Sequence, residues 1–338
     1  MSQQKPPIKV NYYRGETVES SHIVHCMIMD RDGNTIGSWG NEDRLISPRS
    51  TLKALQAIPF VESGAVDAFG LGEEEIALAC ASHNAEKTHM DKVAAWLDKI
   101  GLSENDLQCG GHLSLSRERR HEMIRNDEKM NGLHSDCSGK HAGMLSAAVH
   151  IGAPIENYLD LEHPVQKQIY KTISEMADYD LGSTASGTDG CSAPNPAIPL
   201  KNLALAFSRM LNLDALSPER AAACKRILDA KAKHPYLVAG KQRFDTTMME
   251  VTNGKTLCKV GAEGNQMALI PDQGIAIYIK TEDGTVDRAA LPVLGKILND
   301  LDAIDKDASK AVEKYINPVP KNWKKVPVGK VEVEGLNF

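Results

Sequence analysis

The residues with the types and spacing to do chemistry begin at Ser50 and Lys53, in the segment Ile46-Ser47-Pro48-Arg49-Ser50-Thr51-Leu52-Lys53. Ser47-Pro48 reads as a helix start, a hydroxyl cap followed by a proline at the first helical position. Leu52, Leu55 and Ile58 recur at helical spacing, and Pro59 is expected to stop the run. The spacing predicts a helix over 50–58 with Ser50 and Lys53 on one face of its first turns. A serine hydroxyl becomes a nucleophile once a base takes its proton, and a lysine can be that base when burial or nearby positive charge keeps it neutral. The helix N-terminus favours negative charge developing on the serine oxygen. The plain alternative is a capped helix carrying an exposed lysine.

Two further triplets give that pair company. Ser82-His83-Asn84 is an S-x-N triplet and Lys259-Val260-Gly261 a K-x-G triplet. The order S-x-x-K, S-x-N, K-x-G is that of the active-serine β-lactamases and penicillin-binding proteins. Each triplet alone is common by chance; three in order are more specific.

The elements that must position these residues follow from local patterning. Residues 8–40 read as β structure: Ile23 to Met29 is apolar, and Asp30-Arg31-Asp32-Gly33-Asn34 turns it back toward Ile36 and Trp39. A short helix opens at Gly70–Glu75 and runs out near Ser82. An amphipathic helix covers 86–100, with Gly101 as its C-terminal glycine. Residues 110–136 read as a long polar surface loop whose charges form a solvated face. A small-residue, closely packed helix leads from Asp136 to Gly152, and two more cover 164–177 and 200–212. The Gly/Ser/Thr-rich stretch from Gly182 to Pro194 reads as a functional loop. Ser217-Pro218 caps a helix to about Lys233. Thr256–Gly261, Gln266–Ile270 and Gly274–Lys280 read as strands, 287–301 as helix, and Val326–Val333 as a last alternation. Strands at both ends with helices between predict an α+β fold, a mainly antiparallel sheet flanked by helices, in one catalytic domain over residues 1–338.

Composition narrows the function classes. With 42% hydrophobic and 25% charged residues the chain is an ordinary globular one. A net charge of −6, 5% aromatics and no long basic run argue against nucleic-acid binding. No apolar run approaches a membrane span, and Met1–Pro7 lacks the apolar core of a secretory signal. Seven scattered cysteines are then expected to be reduced thiols in a cytoplasmic protein acting on a metabolite.

Cys137, Lys140 and Cys191 form a second cluster. Thiolates are good zinc ligands, but a lysine must first lose its proton, so spacing alone favours two buried thiols and a solvated lysine. Here a family resemblance enters. His134-Ser135-Asp136-Cys137-Ser138-Gly139-Lys140-His141-Ala142-Gly143-Met144 closely resembles a block of the rhizobial-type (class 3) L-asparaginases. Ser47–Lys53, Thr188–Pro194 and Lys259–Gly264 resemble that family's other blocks, and the likeness runs from about residue 8 to residue 300. Asp136 departs from the family's usual asparagine, and Asn265-Gln266 from a more apolar pair.

The resemblance implies a serine-β-lactamase-like fold and hydrolysis of L-asparagine to L-aspartate and ammonia. It implies two Ser–Lys pairs, Ser50 with Lys53 and Ser82 with Lys259, a zinc site at Cys137, Lys140 and Cys191, and a homodimer. Ser50 would attack the amide carbonyl, Lys53 would take its proton, and Ser82 and Lys259 would relay protons to the departing amine, one lysine staying neutral beside the other. By charge type and block position, Asp189 suits the substrate's α-ammonium and Arg49 or His141 its α-carboxylate; each is equally readable as a structural hydrogen bond. The zinc would orient substrate or hold the Asp189–Cys191 loop rather than activate the nucleophile. The rival readings are another active-serine amidase or esterase, and a non-catalytic ligand sensor.

Overall fold

A computed structural model describes residues 5–338, so that Met1–Gln4, the start of the segment read above as leaderless, lie outside the described residues. In chain order the main elements are β1 (Ile8–Arg14), β2 (Thr17–Asp30), β3 (Thr35–Trp39), α1 (Lys53–Glu62), α2 (Glu73–Ala79), α3 (Lys87–Lys99), α4 (Arg117–Arg125), α5 (Ser138–His150), α6 (Pro164–Ala177), α7 (Leu200–Arg209), α8 (Pro218–Lys233), β4 (Leu257–Gly261), β5 (Asn265–Ile270), β6 (Ile275–Thr281), α9 (Leu291–Asp300), α10 (Lys306–Ile316) and β7 (Val331–Glu334). They fall into two compact units, Met1–Thr51 with Ile198–Asn212 and Thr247–Phe338, and Leu52–Ala197 with Leu213–Thr246.

The first unit is built on one antiparallel sheet in the order β7-β1-β2-β6-β5-β4, with β3 also paired to β2. The predicted hairpin forms: the Asp30 carboxylate accepts from the Asp32 and Asn34 amides, and Gly33 takes the left-handed conformation the turn requires (φ 83°). Val24, Cys26 and Ile28 are fully buried, and so in large part are His25, Met27 and Met29 between them. Successive strand residues face opposite ways, so this run is covered on both faces, which is why it reads as continuously apolar rather than alternating. Helix α7 packs on β2 and β6. The last strand is the short Val331–Glu334, paired with β1, where the alternation began at Val326.

The second unit is helical. Ser217 caps α8 as expected, accepting from the Arg220 amide, and Gly101 closes α3 with φ 73°. Helix α5 owes its small residues to close approach: a Cβ on Gly139 would lie 2.3 Å from the Leu78 carbonyl oxygen, and one on Gly143 would meet Phe60 and Ala79.

Three sequence expectations need correction. Pro59 does not stop the first helix. It sits inside α1, which runs on to Glu62, with the Ser63 amide bonding back to the Pro59 carbonyl. An interior proline costs about 3 kcal/mol, but Leu55, Ile58 and Phe60 are all buried, at about 1.5–3 kcal/mol each, so burial prevails. The charged stretch 110–136 is not one long loop. It holds α4, and Arg119 is buried, donating to the Ala85 carbonyl and pairing with Glu122 and Glu128. Its charges are therefore partly structural, which a reading by polarity alone misses. Within the Gly182–Pro194 stretch, Ser186–Thr188 pairs with Pro194–Pro196 as a two-stranded ribbon, though three residues are too few to show a period.

Candidate active site

Ser50 and Arg49 lie in the first unit, half-buried in a 3-10 turn over Arg49–Leu52 that runs directly into α1. Ser50 thus precedes the α-helix proper. Arg49 adopts φ 53°, a region that side-chain-bearing residues rarely enter and that is held only where surroundings over-determine it.

The surroundings are specific. Tyr278 on β6 donates its hydroxyl proton to Asn265 Oδ1 at 3.1 Å, and the Thr51 hydroxyl lies 2.8 Å from both the Tyr278 oxygen and the Pro48 carbonyl. Asn265 donates its amide to the Ser47 and Ala262 carbonyls at 3.1 and 2.7 Å. The Ser47–Thr51 segment is bolted from behind to the β4–β5 turn. Gly261, last residue of the K-x-G triplet, is what permits it: a Cβ there would stand 2.8 Å from the Pro48 carbonyl oxygen and 3.0 Å from Thr51. Lys259, on β4, is buried and donates to the Val260 carbonyl at 2.8 Å.

In the second unit Lys53 opens α1 with no exposed surface. Its ammonium donates to Ser82 Oγ at 2.9 Å and to the Ala81 carbonyl, with Asp136 Oδ2 at 4.0 Å. Burial pulls Lys53 toward neutrality, but the negative charge of the Cys137–Cys191 pair and of Asp136 outweighs it and leaves its pKa above the ordinary lysine value. The expectation of a lysine held neutral by its surroundings is therefore reversed for Lys53. Asp136 itself loses to burial but gains more from Lys53 and His112, which hold its carboxyl well below the usual range.

The S-x-N triplet divides its work. Ser82 meets Lys53. His83 accepts the Ala85 amide at Nδ1, so its Nε2–H donates to Ser138 Oγ at 2.8 Å. Asn84 does not join Ser82: its amide donates to the Lys241 carbonyl and accepts from Arg243, securing that turn.

Cys137, Lys140 and Cys191 do come together, all buried. Cys137 stands immediately before α5, which carries Lys140 and His141 in its first turn, and Lys140 Nζ lies 3.0 Å from Cys191 Sγ. The solvated lysine that spacing favoured is not what forms. Cys191 is held as a thiolate, chiefly by the hydrogen bond from the Cys137 thiol, with Lys140 and His141 adding to it against the cost of burial. The same bond, and burial, push the Cys137 thiol up. Burial acts against the Lys140 ammonium, but Cys191, Cys137 and Asp189 overcome it and raise its pKa. Asp189 shapes the neighbouring loop: its carboxylate accepts the Gly190 amide at 2.8 Å, and Ser192 takes φ 69° beside it.

Zinc fits these residues. Two cysteine sulfurs and the Lys140 nitrogen converge in one buried place, a donor set that zinc would take once Lys140 gives up its proton. No three His, Cys, Asp or Glu side chains converge among the described residues, so the set depends on lysine as its third donor.

The sequence matches the L-asparaginase II family over residues 10–333. The chain belongs to that family. It is an enzyme, an asparaginase-type amidohydrolase acting on a small molecule. No relative is found among the curated proteins. Among solved structures the enzyme is similar to a β-lactamase from Sphaerobacter thermophilus (TM-score 0.40, 14% identity, 87% of this chain and 91% of that one). It is also similar to a β-lactamase/D-alanine carboxypeptidase from Pseudomonas syringae (0.44, 11%, 82% and 93%) and to a class C β-lactamase variant (0.43, 13%, 82% and 92%). No described helix of this enzyme is long and apolar enough to cross a membrane.

Three residues that brace these clusters in the asparaginase-family enzyme carry no local signal in the sequence. Asp136 and Asn265 stand out only as departures from the family's blocks, and their partners Lys53, His112, Ser47 and Tyr278 lie far off in the chain. Tyr158, fully buried and hydrogen-bonded to His141, sits in a polar stretch with no period to mark it.

Proposed function

We propose that this enzyme hydrolyses the side-chain amide of L-asparagine to L-aspartate and ammonia, with Ser50 as nucleophile. The observation that carries the mechanism is the buried contact of the Lys53 ammonium with Ser82 at 2.9 Å, in a chain of an amidohydrolase family. Ser50 Oγ bonds to the amide carbon as Lys53, three residues on, takes its proton. The carbon–nitrogen bond then breaks, and a proton passed through Ser82 and Lys259 leaves with the ammonia. Water hydrolyses the β-aspartyl ester, returning Ser50 its proton.

Lys53 must be an amine at the moment of attack. With its pKa raised, that form is the minor one at neutral pH. Activity is therefore expected to climb with pH on the alkaline side. Asp189 takes the α-ammonium, and Arg49 or His141 the α-carboxylate. Cys137, Lys140 and Cys191 would hold a zinc ion, which when bound supplies fixed positive charge against the thiolates and helps orient substrate. The family resemblance alone supports a homodimer, and the seven free cysteines support a cytoplasmic setting.

Ammonia release from L-asparagine tests this, with wild type, Ser50→Ala and zinc measured in one preparation. Turnover is expected in wild type, with a loss of about 10³-fold or more in the variant. A well-folded, zinc-loaded wild type that releases no ammonia would remove L-asparagine as the substrate.

A further inference from the structure

Charge is unevenly spread along this chain. From Lys306 to Lys330 it carries seven lysines against Asp307 and Glu313, a net +5, while the whole chain stands at −6. Lopsided charge of this kind marks a surface that meets anionic partners. In the same stretch stands Trp323, and no large apolar side chain among the described residues is more exposed, at 99%.

This exposure belongs to an ordered turn in the first unit. The Asn322 side-chain oxygen accepts the Lys324 and Val326 amides at 3.0 Å each. The Asn322 amide donates to the Val326 carbonyl at 3.0 Å, and the Lys325 amide to the Asn322 carbonyl at 2.9 Å, with Lys325 at φ 65° to close the turn. The base is tied to the β1–β2 corner: the Gly15 amide donates to the Val328 carbonyl and the Tyr13 amide to the Lys330 carbonyl, both at 2.9 Å. Gly329 permits that approach, since a Cβ there would run into the Tyr13 carbonyl. Pro318, Pro320 and Pro327 stiffen the two arms. The tip of this finger is an indole in water. Lys321, Lys324 and Lys325 flank it, all exposed, and none makes an ion pair among the described residues; the neighbouring pair along the chain joins Lys330 to Glu332. Val319 and Val326 are 46% and 52% exposed beside them.

We propose that the Trp323 finger docks the enzyme on an anionic lipid bilayer, the indole and the two valines entering the interface while the lysines meet phosphate headgroups. The contact lies on the membrane and does not span it. An indole suits that boundary because its ring leaves water while its N–H stays wet. Lysines beside an anionic leaflet add attraction one by one. The finger is held in shape beforehand, so docking orders little that was free. A nucleic acid would use the lysines and one stacked ring, but gives the exposed valines no apolar phase to enter. A stable protein partner buries about 800 Å² on each side, more than a single turn offers; a bilayer needs no matching pocket.

Trp39 and Trp96 are fully buried, so of the three tryptophans only Trp323 meets solvent, and its fluorescence reports on the tip. The full chain is titrated with vesicles of phosphatidylcholine alone and of phosphatidylcholine with about a third phosphatidylglycerol. On the anionic vesicles the emission is expected to move to shorter wavelength and to lose its quenching by acrylamide, and the protein to sediment with the lipid. Neither is expected on the neutral vesicles. Trp323→Ala is expected to weaken cosedimentation about tenfold or more. Lys321→Gln, Lys324→Gln and Lys325→Gln together are expected to weaken it about 100-fold. An unchanged melting temperature shows that both variants stay folded. No binding to anionic vesicles at low salt overturns the proposal, and so does binding that both variants keep, which would put the contact elsewhere. Tighter binding to a single-stranded DNA oligonucleotide than to the vesicles would make the basic stretch a nucleic-acid site. A shift that grows with protein concentration in the absence of lipid would mean that a second copy covers the finger. Either of these results also overturns the proposal.

Discussion

Two buried polar clusters serve this enzyme, and they are built on opposite principles. Behind Ser50, the Thr51–Tyr278–Asn265 network is neutral and closed: every polar atom of the Asn265 side chain has a partner. Around Lys53 and Cys191, the second cluster is charged and open. Neighbouring charges hold Lys53, Lys140, Asp136 and Cys191 in their charged forms against burial. A closed neutral network fixes geometry, because any movement strands a buried group. A buried set of charges is costly to hold, and marks where a ligand belongs.

If that contrast holds, substitutions in the two clusters should fail differently. The largest effect is expected in the open one. Cys191→Ser should weaken zinc binding at least about 100-fold and raise KM more than it lowers kcat. Zinc stoichiometry and kinetics check it together, and unchanged zinc content would break the assignment of the metal set.

Gly261→Ala attacks the closed cluster. The added Cβ would meet the Pro48 carbonyl oxygen at 2.8 Å, pushing the Ser50 turn out of line, and a loss of about tenfold in kcat is expected with KM nearly constant. A mutant with normal kcat would show that the Ser50 turn tolerates the shift.

Asn265→Ala should act on stability first, lowering it by about 1–3 kcal/mol as the Ser47 and Ala262 carbonyls and the Tyr278 hydroxyl lose their partner. Denaturant unfolding reads this, and a loss below a few tenths of a kcal/mol would mean that water replaces the amide.

The smallest and most diagnostic effect is that of Asp136→Asn. The carboxylate raises the pKa of Lys53, so removing it should lower that pKa and move the acidic limb of kcat/KM to lower pH. Stability runs the other way. The Asp136 pKa is depressed in the fold, so its contribution is present above the unfolded aspartate value of about 4 and is lost as pH falls through the folded value. The asparagine variant should therefore be less stable at neutral pH and lose less on acidification. A pH–rate profile that does not move would separate Asp136 from Lys53 and blur the contrast between the clusters.

Much of the architecture was legible beforehand because its signals are local. Ser217-Pro218 caps a helix and Asp30–Asn34 turns a hairpin through bonds spanning a few residues, and any chain with those residues would do the same. Family blocks likewise pointed to Cys137, Lys140 and Cys191, which do converge. Pro59 and Arg119 went the other way, because burial that no short window reveals outweighed their local preferences.

What the amino-acid order determined by itself, then, was the family, the start and end of most elements, and the residue types available for acyl transfer. Tertiary structure alone decided how those residues are charged and held. The pKa of Lys53 is raised because the Cys137–Cys191 pair and Asp136, more than eighty residues on, were brought beside it. Ser50 is braced because Asn265 reaches back across more than two hundred residues to Ser47. A pKa or a hydrogen bond depends on distance and burial, and folding sets both between residues whose separation along the chain says nothing of either.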